Sequence, residues 1–318
     1  MGNNHLKFIV TGATSCIGTA CVKYLLEKGH NVCAVMRENS KREKLFKAQL
    51  ANVPQEKLNI TYLEFEKYEI LKNKADIFLN FAWAGTTQEG RNSTELQNSN
   101  VVNALNTMKI AANLGCKVYV EAGSQAEYGW QNGDITKETS QCEPYSEYGK
   151  AKLKCWLIGK ELAQTLNISY IHLRIFSVYG ETESDTAILP YCIRQMLTGK
   201  SIELSKCTQK WNFLYRHDAA QMICRLAEVH YCKDSPQIEL YNIASNDTRI
   251  LKDFINEFTD VCEQKPHIIY GAINSSKLLS LNPSIKKAID TIGEMIFTPF
   301  SNGLKKEINY IKEYDKSK

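Results

Sequence analysis

Short apolar runs alternate with amphipathic stretches through the first half of the chain. Residues 6–10 read as a strand, and residues 16–28 carry apolar positions at helical spacing and stop at Gly29. Further strands are predicted over 32–36, 59–65 and 76–82, and a polar loop then leads into a long helix over about 96–113. A strand over 118–122, a helix over about 148–166 and a strand over 169–176 complete the regular half. This alternation predicts an α/β fold with a parallel sheet covered by helices on both faces. The rest is less regular: helices over 189–198, 218–228 and 251–258, and short strands over 212–215 and 240–243. There is no repeat, low-complexity linker or clean boundary, so a second lobe is expected to be built from interleaved C-terminal segments.

A chain of 318 residues can bury one large core, or one core and a smaller lobe. Its net charge of +4 argues against a nucleic-acid partner and suits an anionic ligand only weakly. No apolar run is long enough to span a bilayer, and the opening Met-Gly-Asn-Asn-His-Leu-Lys lacks the apolar stretch of a signal peptide. Leu6 stands where a myristoylation signal needs Ser or Thr. The eleven cysteines are odd in number and include no Cys-x-x-Cys pair. They read as reduced thiols of a cytoplasmic protein, with no metal site.

Chemistry enters at the end of the first strand, in Thr11-Gly12-Ala13-Thr14-Ser15-Cys16-Ile17-Gly18. A tight turn opening a helix points backbone amides at a pyrophosphate. Gly12 suits the turn and Gly18 suits close helix–sheet packing, while Ser15 stands where a middle glycine is expected. The second strand ends at Met36, and Arg37, Ser40, Lys41 and Arg42 follow with no carboxylate to hold an adenine ribose. A guanidinium there favours a 2′-phosphate, hence NADP(H), with NAD(H) possible and a solvated basic loop as the bland alternative. Glu64 and Phe65 would sit against the adenine. Phe81, Ala82 and Trp83, after Asn80, would pass beneath the ribose and nicotinamide.

Ser124 ends the strand over 118–122, and Tyr148 and Lys152 lie one helical turn apart. The Tyr-x-x-x-Lys spacing alone is common, recurring at Tyr24/Lys28, Tyr68/Lys72 and Tyr314/Lys318. Only Tyr148/Lys152 opens a helix behind a strand that ends in serine. A free tyrosine titrates near pH 10, roughly. Lys152 and oxidised nicotinamide would favour phenolate and let Tyr148 act as acid or base near neutrality. Ser124 would hydrogen-bond the substrate oxygen. Singly, each residue also fits an ordinary surface helix or strand end.

These residues resemble the extended short-chain dehydrogenases/reductases, in particular the nucleotide-sugar epimerase/dehydratase/reductase group. The similarity runs through the Thr11–Gly18 turn, Asn100 in the long helix, Ser124 with Tyr128-Gly129, and Tyr148/Lys152. It continues through Leu173-Arg-Ile-Phe-Ser-Val-Tyr-Gly180, Gln209-Lys-Trp-Asn-Phe-Leu-Tyr215, Tyr241-Asn-Ile-Ala-Ser245 and Phe297-Thr-Pro-Phe-Ser-Asn-Gly303. The resemblance implies a Rossmann-type doubly wound sheet in residues 1–177, with 212–244 returning to it. It implies a nucleotide-sugar lobe from residues 178–211 and 245–318, and a cofactor held by Thr11, Gly12, Thr14, Ser15, Cys16, Ile17, Arg37, Ser40, Glu64, Phe65, Phe81, Ala82, Trp83, Asn100, Tyr148 and Lys152. The expected partner is a nucleotide-diphosphate sugar, contacted by Trp83, Gln125, Ser177, Leu189, Gln209 and Trp211. A homodimer through the helices over 96–113 and 148–166 is expected too.

The departures narrow the reaction. Where dehydratases of this group carry Asp and Glu, this chain has Gln125 and Ala126; Glu127 is one step further and, strand neighbours alternating, faces away. The group's Arg-Asp pair before Phe-x-Tyr is Trp211-Asn212, and its Asn before Val-Tyr-Gly is Ser177. Lys210, Arg216 and Arg194 are the candidates to replace the missing diphosphate charge. The first expectation is an NADPH-dependent reductase of a nucleotide-linked 4-keto-6-deoxy sugar. The alternatives are a 4-epimerase using bound NAD and a non-catalytic NADP-binding sensor, the last disfavoured by an intact Ser124/Tyr148/Lys152 set.

Overall fold

The computed structural model describes residues 5–181, 187–274 and 279–316, so the myristoylation reading at Gly2 lies outside it. Its first half runs β1 (Lys7–Thr11), α1 (Cys16–Glu27), β2 (Asn31–Met36), α2 (Glu43–Gln49), β3 (Leu58–Tyr62), β4 (Ile77–Asn80), α3 (Gln88–Asn92), α4 (Thr94–Asn113), β5 (Val118–Ala122), α5 (Glu147–Leu166) and β6 (Ser169–Ile175). Then follow β7 (Ser177–Tyr179), α6 (Ile188–Leu197), β8 (Ile202–Leu204), β9 (Lys210–Tyr215), α7 (Arg216–Tyr231), β10 (Ile238–Ile243), β11 (Thr248–Ile250), α8 (Leu251–Val261), β12 (Ile268–Tyr270), α9 (Lys286–Ile292) and α10 (Phe300–Lys316).

Seven strands form one parallel sheet in the order β10-β6-β5-β4-β1-β2-β3. Its strands are nearly continuous apolar runs because both faces are covered. Helices α1 and α7 pack together over one face and α4 and α5 over the other. The strand order reverses between β1 and β4, so the crevice at their carboxyl ends is the expected ligand position of a doubly wound sheet. A three-stranded sheet, β11-β9-β7, and a β12-β8 pair lie outside the main sheet. Around them Tyr179, Leu189, Phe213, Phe254, Phe300 and Ile311 help build a second apolar core. The chain returns from this lobe to the large sheet through α7 and β10.

Three differences from the sequence expectations have physical reasons. The third strand stops at Tyr62, where its partner β2 ends at Met36, and residues 65–70 coil into a 3-10 turn that packs Phe65 on Tyr68. Residues 210–211, expected outside a strand, extend β9 because β11 pairs with it there. Helix α10 was not anticipated. It buries Phe300, Leu304, Ile308 and Ile311 at helical spacing, but Asn302, Lys305, Lys306, Glu307 and Asn309 between them mask the pattern.

Candidate active site

Local sequence shapes the turn between β1 and α1. Gly12 has φ +62°, and a Cβ there would lie 2.6 Å from the Phe81 backbone. A Cβ on Gly18 would lie 2.3 Å from the Gly12 carbonyl oxygen. Ser15, at the expected middle glycine, has φ −72° and ψ 164°, a backbone any L-residue adopts. Its hydroxyl accepts from Gly18 N at 3.0 Å and caps α1. The amides of Cys16 and Ile17, in the helix's first turn, have no carbonyl one turn earlier to bond, so the turn fits a pyrophosphate. At the end of β2, Arg37 is exposed and Ser40 Oγ lies 3.4 Å from Thr14 Oγ1. Glu64 caps the 3-10 turn after β3. Beyond β4, Phe81 belongs to the core, while Ala82 and Trp83 are half-buried. Asn100 accepts from Ala84 N at 3.1 Å and donates to Ala84 O at 2.9 Å, so it fixes the segment carrying those residues.

Ser124 follows β5 as the cap of a 3-10 turn over Gln125–Tyr128. Its Oγ accepts from Ala126 N at 3.2 Å, which leaves the hydroxyl proton to donate elsewhere. Ser146 caps α5, and the first turns of that helix hold Tyr148, half-buried, and Lys152, buried. The Lys152 ammonium is 5.8 Å from the Tyr148 ring centroid. Trp83 meets the Tyr148 ring edge-on at 6.1 Å, and the Arg91 guanidinium lies over that ring at 4.2 Å. The turn after β5 thus supplies a hydroxyl, and α5 a phenol and an ammonium.

A sequence profile of the NAD dependent epimerase/dehydratase family matches residues 8–244, most of the chain. The chain belongs to the NAD dependent epimerase/dehydratase family. Within that enzyme family it is 22% identical to CDP-abequose synthase of Salmonella muenchen over 275 residues, 84% of either chain. It is 31% identical to the dTDP-6-deoxy-L-talose 4-dehydrogenase (NAD(+)) of Aggregatibacter actinomycetemcomitans over 154 residues, 46% of this chain and 52% of the relative. The solved UDP-N-acetylglucosamine 4-epimerase from Methanobrevibacter ruminantium superposes with a TM-score of 0.83 at 20% identity, over 97% of this chain and 99% of that one. That last likeness is one of fold.

This epimerase/dehydratase family member has no acid/base pair after Ser124. Its nearest following carboxylate, Glu127, turns away from Ser124 Oγ, though not through strand alternation, since the segment is a 3-10 turn. Glu127 Oε1 accepts from Ser124 N at 2.8 Å and lies 2.9 Å from His172 Nε2; Oε2 accepts from Arg174 Nε at 2.8 Å. Burial alone would raise this carboxyl, but His172 and Arg174 outweigh it and hold it below its ordinary range. A buried ionic triad thus anchors the Ser124 turn from beneath.

On the lobe side the expected residues divide. Gln125 Oε1, Gln209 Oε1 and Trp211 Nε1 are buried with no hydrogen-bond partner among the described residues. Ser177 opens β7, half-buried. Leu189 is 1% exposed and packs in the lobe core. Of the candidate charges, Arg216 reaches the cofactor-turn side, donating to Glu181 O and Gln49 Oε1. Lys210 Nζ donates to Gly133 O at 3.1 Å. Arg194 lies on α6, half-buried. Sequence reasoning missed Arg91, which sits in a short helix with no pattern to flag it. It also missed Glu121, a charge inside an apolar strand and therefore visible.

Proposed function

We propose that this family member is an NADPH-dependent reductase of a 4-keto-6-deoxy sugar carried on a nucleoside diphosphate. The observation that carries the reading is the Ser124, Tyr148 and Lys152 set, with Glu127, the carboxylate that follows Ser124, locked by His172 and Arg174. Such a site moves one proton and holds no second acid/base pair for eliminating water. A bound nicotinamide dinucleotide supplies the hydride chemistry. Tyr148 Oη gives its proton to the carbonyl oxygen, Ser124 Oγ donates a hydrogen bond that orients that oxygen, and Lys152 stabilises the phenolate left behind. Sugar hydroxyls are natural donors to the buried Gln125 and Gln209 Oε1, and a hydroxyl or phosphate oxygen a natural acceptor for Trp211 Nε1, atoms with no partner among the described residues. Two similar proteins bear names that include CDP-abequose and dTDP-6-deoxy-L-talose, which supports a nucleotide-linked deoxy sugar.

The preference for NADPH rests on Arg37 and Ser40 at a strand end without a carboxylate. The name of the talose relative carries NAD(+). Arg37→Ala is expected to raise the KM for NADPH about tenfold or more, the worth of one charge-assisted hydrogen bond, and to leave the KM for NADH unchanged. Equal effects on both cofactors would remove the 2′-phosphate from the account.

The second reading, a 4-epimerase, is favoured by the fold shared with a solved UDP-sugar 4-epimerase. Such an enzyme needs no net reductant. Assays with dTDP- and CDP-linked 4-keto-6-deoxy sugars, with NADPH and NADH in parallel, separate the two. We also propose a homodimer through α4 and α5, whose Val102, Leu157 and Ile158 are exposed.

A further inference from the structure

Lys152 is 2% exposed, and its ammonium has three neighbours besides Tyr148. Nζ donates to Ala122 O at 2.5 Å, sits 3.3 Å from the Trp83 ring centroid, and lies 3.9 Å from Glu121 Oε1. Glu121 is itself 1% exposed. Its Oε2 is satisfied twice, accepting from Tyr119 Oη at 2.6 Å and Asn80 Nδ2 at 2.9 Å. Its Oε1, the oxygen nearest Lys152, has no hydrogen-bond partner among the described residues. Asn80 Oδ1 in turn accepts from Thr11 Oγ1 at 2.6 Å. Thr11, Asn80 and Glu121 are register partners across β1, β4 and β5. A chain of polar side chains therefore crosses three adjacent strand ends, from the residue that opens the cofactor turn to the lysine of the relay.

A carboxylate buried among apolar strands is costly unless charge and hydrogen bonds compensate it. Among the described residues Lys152 is the cation that forms an ion pair with Glu121. The ammonium is likewise held on a carbonyl, an indole face and this carboxylate. Changing any of the three alters where Nζ rests relative to Tyr148.

We propose that Glu121 is a positioning residue of the proton relay, the buried counter-ion that fixes the resting place of the Lys152 ammonium between β5 and Tyr148. The inference rests on the Ser124–Tyr148–Lys152 reading above, whether the reaction is reduction or epimerisation. Glu121 acts through Lys152 and does not touch the substrate.

The test compares wild type, Glu121→Gln, Glu121→Asp, Lys152→Met and the Glu121→Gln/Lys152→Met double variant, in whichever of the two reactions the wild type catalyses. The readouts are kcat, the KM for the sugar nucleotide, and the thermal midpoint. Glu121→Gln is expected to lower kcat on the order of 10- to 100-fold, as misplacement of a catalytic group does, with the KM unchanged. Glu121→Asp recovers part of the loss, and Glu121→Gln adds nothing in the Lys152→Met background. A folded Glu121→Gln enzyme with wild-type kcat, or losses that multiply in the double variant, would overturn the inference. Where the Gln variant does not fold, the Asp variant decides. It keeps a carboxylate but withdraws it by one methylene, and wild-type kcat in that variant overturns the inference as well. Activity that survives Lys152→Met sinks the relay itself, whereas loss there beside an unaffected Glu121→Gln sinks only the role of Glu121.

Discussion

Replacing Tyr148 by Phe is expected to lower kcat by about 10²- to 10⁴-fold, the range of a lost general acid, while cofactor affinity stays at its wild-type value. The substitution removes one oxygen and leaves the ring. Its contacts with Trp83 and with the Arg91 guanidinium survive, so the pocket wall keeps its shape. Ser124 Oγ still offers its proton as a hydrogen bond, but an alkyl hydroxyl is a far weaker acid than a phenol and does not replace it. The loss therefore falls on kcat and kcat/KM alike, the signature of an interaction used only in the transition state. Steady-state kinetics with NADPH fluorescence titration measures both quantities. Turnover close to wild type in the Phe variant would remove Tyr148 from the mechanism.

The second large effect is one of stability. Glu127→Ala leaves Arg174 and His172 buried without their carboxylate and deprives Ser124 N of its acceptor. Breaking a buried ion pair on one side costs about 3–5 kcal/mol, and we expect a loss of that order, read as a lower midpoint in urea. The pH dependence follows from the same triad. The Glu127 carboxyl is held below its ordinary range by His172 and Arg174. Its contribution is therefore fully present above the unfolded carboxyl's value of about 4.3 and is lost as pH falls through the lower folded value. Wild type should lose stability in that acid window, and Glu127→Ala should lack this part of the acid dependence. A variant with wild-type midpoint and acid profile would mean that the triad carries no stability.

Much of the sheet was legible because its strands are buried on both faces and read as unbroken apolar runs. Helices α1, α4, α5, α6, α7 and α8 were legible from their periodicity, and Tyr148 and Lys152 stood out as a candidate pair by their setting, not their spacing alone. Other features depended on partners distant in sequence. Strands of three residues such as β7 and β11 exist because β9 pairs with them. Glu127 finds His172 across 45 residues, so its destination could not be read from its neighbours. The packing of Leu189 in the lobe core depends on residues as distant as Phe254 and Phe300. Asn100 reaches Ala84 across a helix–loop contact invisible in the pattern. Glu121 was legible in principle, since a carboxylate inside Val-Tyr-Val-Glu-Ala must find a buried partner.

The most direct test of the central claim follows the hydrogen itself. NADPH carrying deuterium at the transferred position is incubated with the enzyme and a dTDP- or CDP-linked 4-keto-6-deoxy sugar, and the product is read by mass spectrometry and proton resonance. A reductase places one deuterium on the sugar's C4 for each NADPH consumed. A sugar isomerised without deuterium at C4 and without consumption of NADPH would contradict the account and assign the same site to epimerisation.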